Sequence, residues 1–541
     1  MSVPLSYSKG PAAPLLEITI AEALTDAATR YADREALVVC HQQIRLTWAD
    51  LDREATRVAR GLAGLGLAPG DRVGVWATNC VEWVLLQYGT ARAGLVLVNV
   101  NPAYRSHELS FVLRQSRIRA LFLHAADRRT DYRKILRDCT PPGHVVWLGD
   151  PSWERMLAGG SAIPAFPSGP HDVVNIQYTS GTTGSPKGVL LTNRNLLNNG
   201  LMIAQRLGAD ERDRICVPVP MYHCFGCVIG SMTSLTTGAA MILPGATFSA
   251  LATIEAVHRE KPTVLYGVPT MFIAELDHPA FDQFSFDSLR SGIMAGAPCP
   301  RDVMNRVREK MHCAGVTIAY GQTESSPVVT MSGTADPVDL RVATIGSAMG
   351  NTEVKIVNGA GETVPLGEAG EICARGYLVM KGYDEDPEAT AKTIDPEGWL
   401  HTGDLGVMRD DGYITFTGRA KDMIIRGGEN IYPREVEDFL RTHPGVADVY
   451  VIGIPDHRLG EIVVAWVKPR VGVELTEDGI RDFCRDQIAY FKIPQHVRFV
   501  DSFPLTVTGK VRKVEMRRIE MEGPDELRAS IIESSASRAG C

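Results

Sequence analysis

Eleven residues, Tyr178-Thr179-Ser180-Gly181-Thr182-Thr183-Gly184-Ser185-Pro186-Lys187-Gly188, constrain this chain more than any others. Before them runs Val173-Val174-Asn175-Ile176-Gln177, which with Tyr178 has the length and composition of a buried strand. After them, Val189-Leu190-Leu191-Thr192-Asn193-Arg194-Asn195-Leu196 reads as a strand edge and then a helix start. Glycines in such a loop let backbone N–H groups come close to phosphate oxygens. The hydroxyls add donors and Lys187 adds a point charge, so the loop suits a polyphosphate. It is not a Walker A loop: Gly188 follows the lysine where Ser or Thr would be needed, and the glycine spacing differs. Any use of ATP would therefore differ from that of a P-loop NTPase.

Composition narrows the partners. A chain of 541 residues can build several core-forming units, and 45% hydrophobic with 22% charged residues is ordinary for a globular protein. The net charge of −8 argues against nucleic acid as a partner, so phosphate chemistry must rest on local donors. Only thirteen lysines occur, and Lys187 and Lys510 stand out because both sit in glycine-containing motifs. The 11 cysteines are odd in number and scattered, which points to a reducing compartment rather than a disulfide framework. Cys224-Phe225-Gly226-Cys227, preceded by His223, is a lone C-x-x-C with no second pair near it, and is not read as a metal or redox site. The N-terminus has no apolar signal-peptide core. The most apolar window, 83–100, is broken by Gln87, Thr90 and Arg92. A cytoplasmic protein without integral membrane association is expected.

Helical and strand patterns alternate from about residue 18 to 420. Apolar runs at 36–40, 72–76, 95–100, 240–243 and 264–268 read as buried strands of mostly parallel sheets, and Thr47 with Asp50 opens a helix. This is the α/β signature, in which ligands sit in loops at the carboxyl ends of strands. From 355 to 417, short strands separated by turns such as Asn358-Gly359 and Asp411-Gly412 suggest a small β-barrel-like or antiparallel part. Gly418-Arg419-Ala420-Lys421-Asp422 is a charged break. Beyond it, a helix at 433–440, strands at 449–454 and 461–467 and a helix at 477–488 make a smaller α+β unit. The expected division is a domain over 1–420, an α+β domain over 421–521 and a polar tail over 522–541, whose lack of periodicity suggests disorder.

Further motifs follow in a fixed order. They are Pro220-Met221-Tyr222-His223-Cys224-Phe225-Gly226, Ala295-Gly296-Ala297-Pro298, Tyr320-Gly321-Gln322-Thr323-Glu324, Trp399-Leu400-His401-Thr402-Gly403-Asp404, the break at 418–422 and Pro504-Leu505-Thr506-Val507-Thr508-Gly509-Lys510. Together with the 178–188 loop they resemble the adenylate-forming superfamily of acyl-CoA synthetases, peptide-synthetase adenylation domains and beetle luciferases. The resemblance runs from about residue 15 to 520.

That resemblance implies two half-reactions: a carboxylate attacks the α-phosphate of ATP, and CoA then takes the acyl group. It assigns Thr179, Ser180, Gly181, Thr182, Thr183, Gly184 and Lys187 to the β and γ phosphates. Glu324 is the implied Mg²⁺ ligand and Thr323 the α-phosphate contact. Gly296, Ala297 and Pro298, with Tyr320, Gly321 and Gln322, belong to the nucleotide slot. Asp404 is implied for the ribose hydroxyls and Arg419 for ribose or phosphate. Lys510 is the lysine that stabilises charge at the α-phosphate. Lys421 is the implied hinge of a rotating C-terminal domain, which would bring in the 423–430 segment with Gly428 beside pantetheine. His223 matches an aromatic gate near the substrate carboxylate, and a pocket-wall histidine remains the alternative.

Gly321 stands where acetate-specific relatives carry tryptophan, which implies an acyl pocket open to larger acids. The 222–225 stretch lacks the aspartate that adenylation domains use for an α-amino group, and no carrier domain follows Lys510. The expected activity is an acyl-CoA synthetase for a medium- or long-chain or comparably large apolar acid. Aryl or specialised acids, and transfer to a carrier protein instead of CoA, remain alternatives. A homodimer is left open.

Overall fold

The computed structural model describes residues 4–522 except 128–129, 164–167, 180–185, 427–428, 457, 486 and 506–510. It divides into a larger unit of Met1–Glu368, Ile372–Thr402 and Met408–Thr415, and a smaller one of Ala369–Glu371, Gly403–Val407 and Phe416–Cys541. The chain thus passes between units within the strands Ala369–Gly376, Leu400–Met408 and Ile414–Arg419.

Two sheets organise the larger unit. A nine-stranded sheet has six parallel strands in the order Gly315–Gly321, Ser291–Ala295, Val264–Gly267, Arg214–Cys216, Ala240–Leu243, Glu35–Val39. Antiparallel strands finish both edges, Val328–Met331 and Ser347–Ala348 on one side and Ile44–Thr47 on the other. Most residues of these parallel strands are buried, as near-continuous apolar runs covered on both faces should be. The second sheet has seven strands. Val173–Thr179, Val96–Asn99, Arg72–Trp76, Ala120–Leu123 and His144–Trp147 run parallel, and Lys187–Thr192 and Gly382–Tyr383 are added antiparallel.

Local sequence sets the junctions. Thr47 and Asp50 close a capping box on the helix Trp48–Gly64, each accepting the other's backbone N–H at 3.1 Å. Thr192 and Asn195 do the same for the helix Asn193–Leu207, so the strand after the glycine-rich loop turns straight into a helix. One element was not legible in the sequence. Tyr7–Lys9 pairs antiparallel with Thr352–Val357, Ser8 opposite Val354, in a five-stranded sheet that continues through the strands between 369 and 419.

The smaller unit is α+β. Val446–Asp456 and Gly460–Pro469 form a long antiparallel pair. Val463, Ala465 and Val467 bury one face with Val436, Leu440 and Ile480, while Ile462, Val464 and Trp466 bury the other with Met516. The helix expected over 477–488 is Glu477–Cys484, because Arg485 turns extended at φ −63°, ψ 133°. No helix among the described residues is long and apolar enough to cross a membrane.

One core residue is out of place by charge. Glu275, on the helix Pro269–Leu276, is 1% exposed, and its Oε2 has no hydrogen-bond partner among the described residues. Burial pushes its carboxyl well above the usual range, so folding favours the protonated form. That shift costs nothing below the unfolded value near pH 4, and its cost grows as pH rises toward the folded value. Glu275→Met should raise stability at pH 4 by about 1–3 kcal/mol, because the unpaired buried carboxyl is removed, and by more at pH 8, which melting curves at the two pH values would check.

Candidate active site

The carboxyl edge of the nine-stranded sheet collects three of the sequence motifs. Ala295 pairs with Ala319 in parallel register, so Gly296-Ala297-Pro298 and Tyr320-Gly321-Gln322-Thr323-Glu324 leave neighbouring strands at the same edge. Gly296 has φ +86°, a left-handed turn that glycine adopts without strain. The strand Arg214–Cys216, also parallel, leads at that edge into the 220–226 motif. Its turn meets the Thr323 turn, with Cys224 Sγ 3.9 Å from Thr323 Oγ1.

His223 is half-buried in that turn. Its Nδ1 accepts the Phe225 N–H at 3.1 Å, which leaves Nε2 to carry the hydrogen of the neutral ring. A π-helical turn, Phe225–Gly230, follows. A buried amide ladder fixes this segment from behind. Gln177 Nε2 donates to Asn175 Oδ1 at 2.7 Å, and Asn175 Nδ2 to Asn99 Oδ1 at 2.9 Å. Asn99 Nδ2 reaches the Tyr222 carbonyl at 3.0 Å, and the amides of Asn99 and Gln177 each lie 3.4 Å from Cys227 Sγ. The strand that reads as apolar in the sequence therefore also carries a buried polar face toward the His223 segment. Cys224 and Cys227 are free thiols, and burial pushes the Cys227 thiol up.

The strands on either side of the glycine-rich loop pair antiparallel. Thr179 stands opposite Lys187, and Tyr178 opposite Gly188. Ser180, Gly181, Thr182, Thr183 and Gly184 lie outside the described residues. Lys187 Nζ lies 4.8 Å from the centre of the Tyr383 ring, and the Tyr383 hydroxyl donates to Glu324 Oε1 at 2.9 Å. Tyr383 thus joins the hairpin lysine of one sheet to the Glu324 turn of the other. Nothing in the residues around Lys381-Gly382-Tyr383 signals this, because the contact is made across 59 and 196 positions of sequence.

Gly321 serves the backbone. It lies at a bulge in the hairpin with Val328–Met331, and a Cβ there would fall 1.8 Å from the Pro327 carbonyl oxygen. No side chain fits in this conformation, whatever the size of an acyl pocket.

In the smaller unit, Asp404 is 5% exposed and pairs with Arg419, Nε to Oδ1, at 3.2 Å, with Arg419 half exposed. Gly403 just before it has its N–H bonded to Glu371 at 2.9 Å. Lys421 is exposed in a short 3₁₀ turn, Ala420–Asp422. Gly428 and Lys510 lie outside the described residues. The ends of the Lys510 segment are held together, since Leu505 bridges Val511 and Arg512 N–H bonds the Pro504 carbonyl at 2.8 Å.

Two α/β sheets that present a lysine-bearing hairpin end and an acidic turn at their carboxyl edges place the chain in the α/β class, whose ligands sit at such edges. Comparison with known proteins makes this specific. Residues 24–384 match the AMP-binding enzyme family and 435–510 its C-terminal domain. A Bacillus subtilis protein described as a putative acyl-CoA synthetase, YngI, is 44% identical across 94% of this chain and 98% of its own. The mouse mitochondrial medium-chain acyl-CoA ligase ACSF2 is 39% identical across 95% of this chain and 89% of its own. Among solved structures, ATP-bound MatB from Rhodopseudomonas palustris superposes with a TM-score of 0.84 at 30% identity, across 93% of this chain and 99% of that one. The chain belongs to the AMP-binding enzyme family, in the acyl-CoA synthetase branch of the adenylate-forming superfamily. It is an AMP-forming acid–thiol ligase.

Proposed function

We propose that this protein activates a medium- or long-chain fatty acid, or a comparably large apolar acid, through acyl-AMP and transfers the acyl group to CoA. The observation that carries the reading is the link from the Thr179/Lys187 hairpin end through Tyr383 to Glu324, beside the Thr323 and Gly296 turns. It gathers a cation, hydroxyls and the Glu324 carboxylate in an arrangement that suits a metal-bound triphosphate. The name of the ACSF2 relatives supports the medium-chain assignment.

In this reading the substrate carboxylate attacks the α-phosphorus of ATP and pyrophosphate leaves. The CoA thiol then displaces AMP from the acyl carbon. Carboxylate and ATP are both anionic, so catalysis is positioning plus charge neutralisation. Lys187 and the loop 179–184 hold the β and γ phosphates, Thr323 the α-phosphate, and Asp404 with Arg419 the ribose. Gly296, Ala297, Pro298, Tyr320, Gly321 and Gln322 border the base, and His223 stands at the acyl carboxylate. A half-buried carboxylate beside phosphates suits Mg²⁺, which takes one or two carboxylates plus phosphate and water oxygens, and Glu324 would hold it there to neutralise phosphate charge. Lys510 stabilises charge at the α-phosphate. A turn of the 421–521 domain about Lys421 exchanges Lys510 for the 423–430 segment, where Gly428 leaves room for pantetheine.

Mass spectrometry of products from Mg·ATP and a panel of acids, acetate to palmitate with benzoate, coumarate and amino acids, tests the reading. The expected result is acyl-AMP from C6–C16 acids without CoA, converted to acyl-CoA with it. Preference for an aryl acid, or acyl-AMP that persists with CoA, would overturn the substrate or the acceptor. Asp404→Ala should raise KM for ATP about tenfold or more, as loss of hydrogen bonds to a charged group does, with a smaller change in KM for the acid.

A further inference from the structure

We propose that Tyr383 is a positioning residue for adenylation: its hydroxyl orients the Glu324 carboxylate and its ring face holds the Lys187 ammonium. The proposal rests on the reading of Glu324 and Lys187 given above and deepens it.

The side chain is built into place. It is 9% exposed. Gly382 and Tyr383 pair antiparallel with Leu190 and Val189 of the Lys187 strand. The Tyr383 N–H donates to Thr390 Oγ1 at 2.8 Å, on the helix Pro387–Thr393. The next residue, Asp384, is 2% exposed and forks with Arg72 at 2.7 and 3.0 Å, while its N–H donates to the Gly188 carbonyl at 2.7 Å. The backbone on both sides of the ring is therefore fixed to the strand that carries Lys187. The Glu324 backbone is tied to the same segment, because the Met380 N–H donates to the Glu324 carbonyl at 2.9 Å.

The chemistry follows from that placement. A phenol hydroxyl donates one hydrogen to a carboxylate oxygen and so fixes the rotation of the carboxylate. An oxygen ligand oriented in this way binds a hard cation without first being ordered, and partners of this kind are worth about 10–100-fold in metal affinity or activity. The ring face, negative by its quadrupole, attracts the Lys187 ammonium and keeps it at the hairpin end before the phosphates arrive. One residue thus sets the spacing of the cation and the carboxylate that meet the same polyphosphate, although each belongs to a different sheet.

The test uses the full-length protein with α,β-methylene-ATP, which binds but cannot transfer its adenylyl group, and Mn²⁺ followed by its paramagnetic signal. Tyr383→Phe keeps the ring and removes the hydroxyl. It should weaken Mn²⁺ in the ternary complex about 10–100-fold and leave metal-free analogue binding at the wild-type level, which also reports an intact fold. Tyr383→Leu should in addition weaken metal-free analogue binding, since the face that holds Lys187 is gone. Wild-type Mn²⁺ affinity in Tyr383→Phe overturns the proposal. Glu324→Gln is measured alongside. If it loses Mn²⁺ while Tyr383→Phe does not, the proposal alone fails. If Glu324→Gln binds Mn²⁺ normally, the reading of Glu324 fails and the proposal with it.

Discussion

Lys510→Ala should lower the rate of acyl-AMP formation by about 10²–10³, the usual cost of removing one group aimed at charge that develops in the transition state. ATP binding should largely persist, because Lys187, Thr323 and Asp404 are untouched. Transfer from supplied acyl-AMP to CoA should also persist, since that half-reaction does not need Lys510 in the proposed cycle. Rapid-quench measurement of the two half-reactions separates these outcomes, and equal loss in both would remove Lys510 from its proposed role. Lys513 is the natural control. Its ammonium bonds the buried Glu437 at 2.6 Å, which ties the helix Lys513–Glu522 to Pro433–Leu440. Lys513→Ala leaves a buried carboxylate without that partner, so it should lower thermal stability more than it lowers chemistry.

Gly321→Ala should destabilise the protein by about 3 kcal/mol, because a methyl group cannot be placed 1.8 Å from a carbonyl oxygen. The Pro327 oxygen is not free to move. It accepts the Gln322 N–H at 3.0 Å and the Ser325 hydroxyl at 2.6 Å, the bonds that close the turn carrying Thr323 and Glu324. A shift that admits the methyl would break that turn, so adenylation should fall with the melting temperature. If Gly321 acted only by leaving an acyl pocket open, alanine would alter chain-length preference and leave the melting curve unchanged. Thermal melts beside an acid panel decide between the two.

The fold class was legible because its signals are local. Runs such as Ala240-Met241-Ile242-Leu243 are apolar throughout, as parallel strands covered on both faces must be, and Thr47 with Asp50 states a helix start within four residues. The motifs at Thr179/Lys187, Gly296 and Thr323–Glu324 could be picked out for a similar reason: each stands at a strand end and is written in consecutive residues. Gly321 shows the limit. The sequence identifies it by the bulk it lacks, and the fold identifies it by the carbonyl it faces.

The sequence alone thus determined the α/β architecture, the order of the phosphate-type loop, the Thr323-Glu324 turn, Asp404 and Lys510, and the adenylate-forming family. Only the tertiary structure decided which of these residues meet. Tyr383 joins Lys187 to Glu324, Asn99 and Gln177 support the His223 segment, and Tyr7–Lys9 adds a strand to Thr352–Val357. The physical reason is that single hydrogen bonds and ring contacts between residues tens to hundreds of positions apart leave no periodicity and no motif. They exist only once two sheets have packed and brought their edges together.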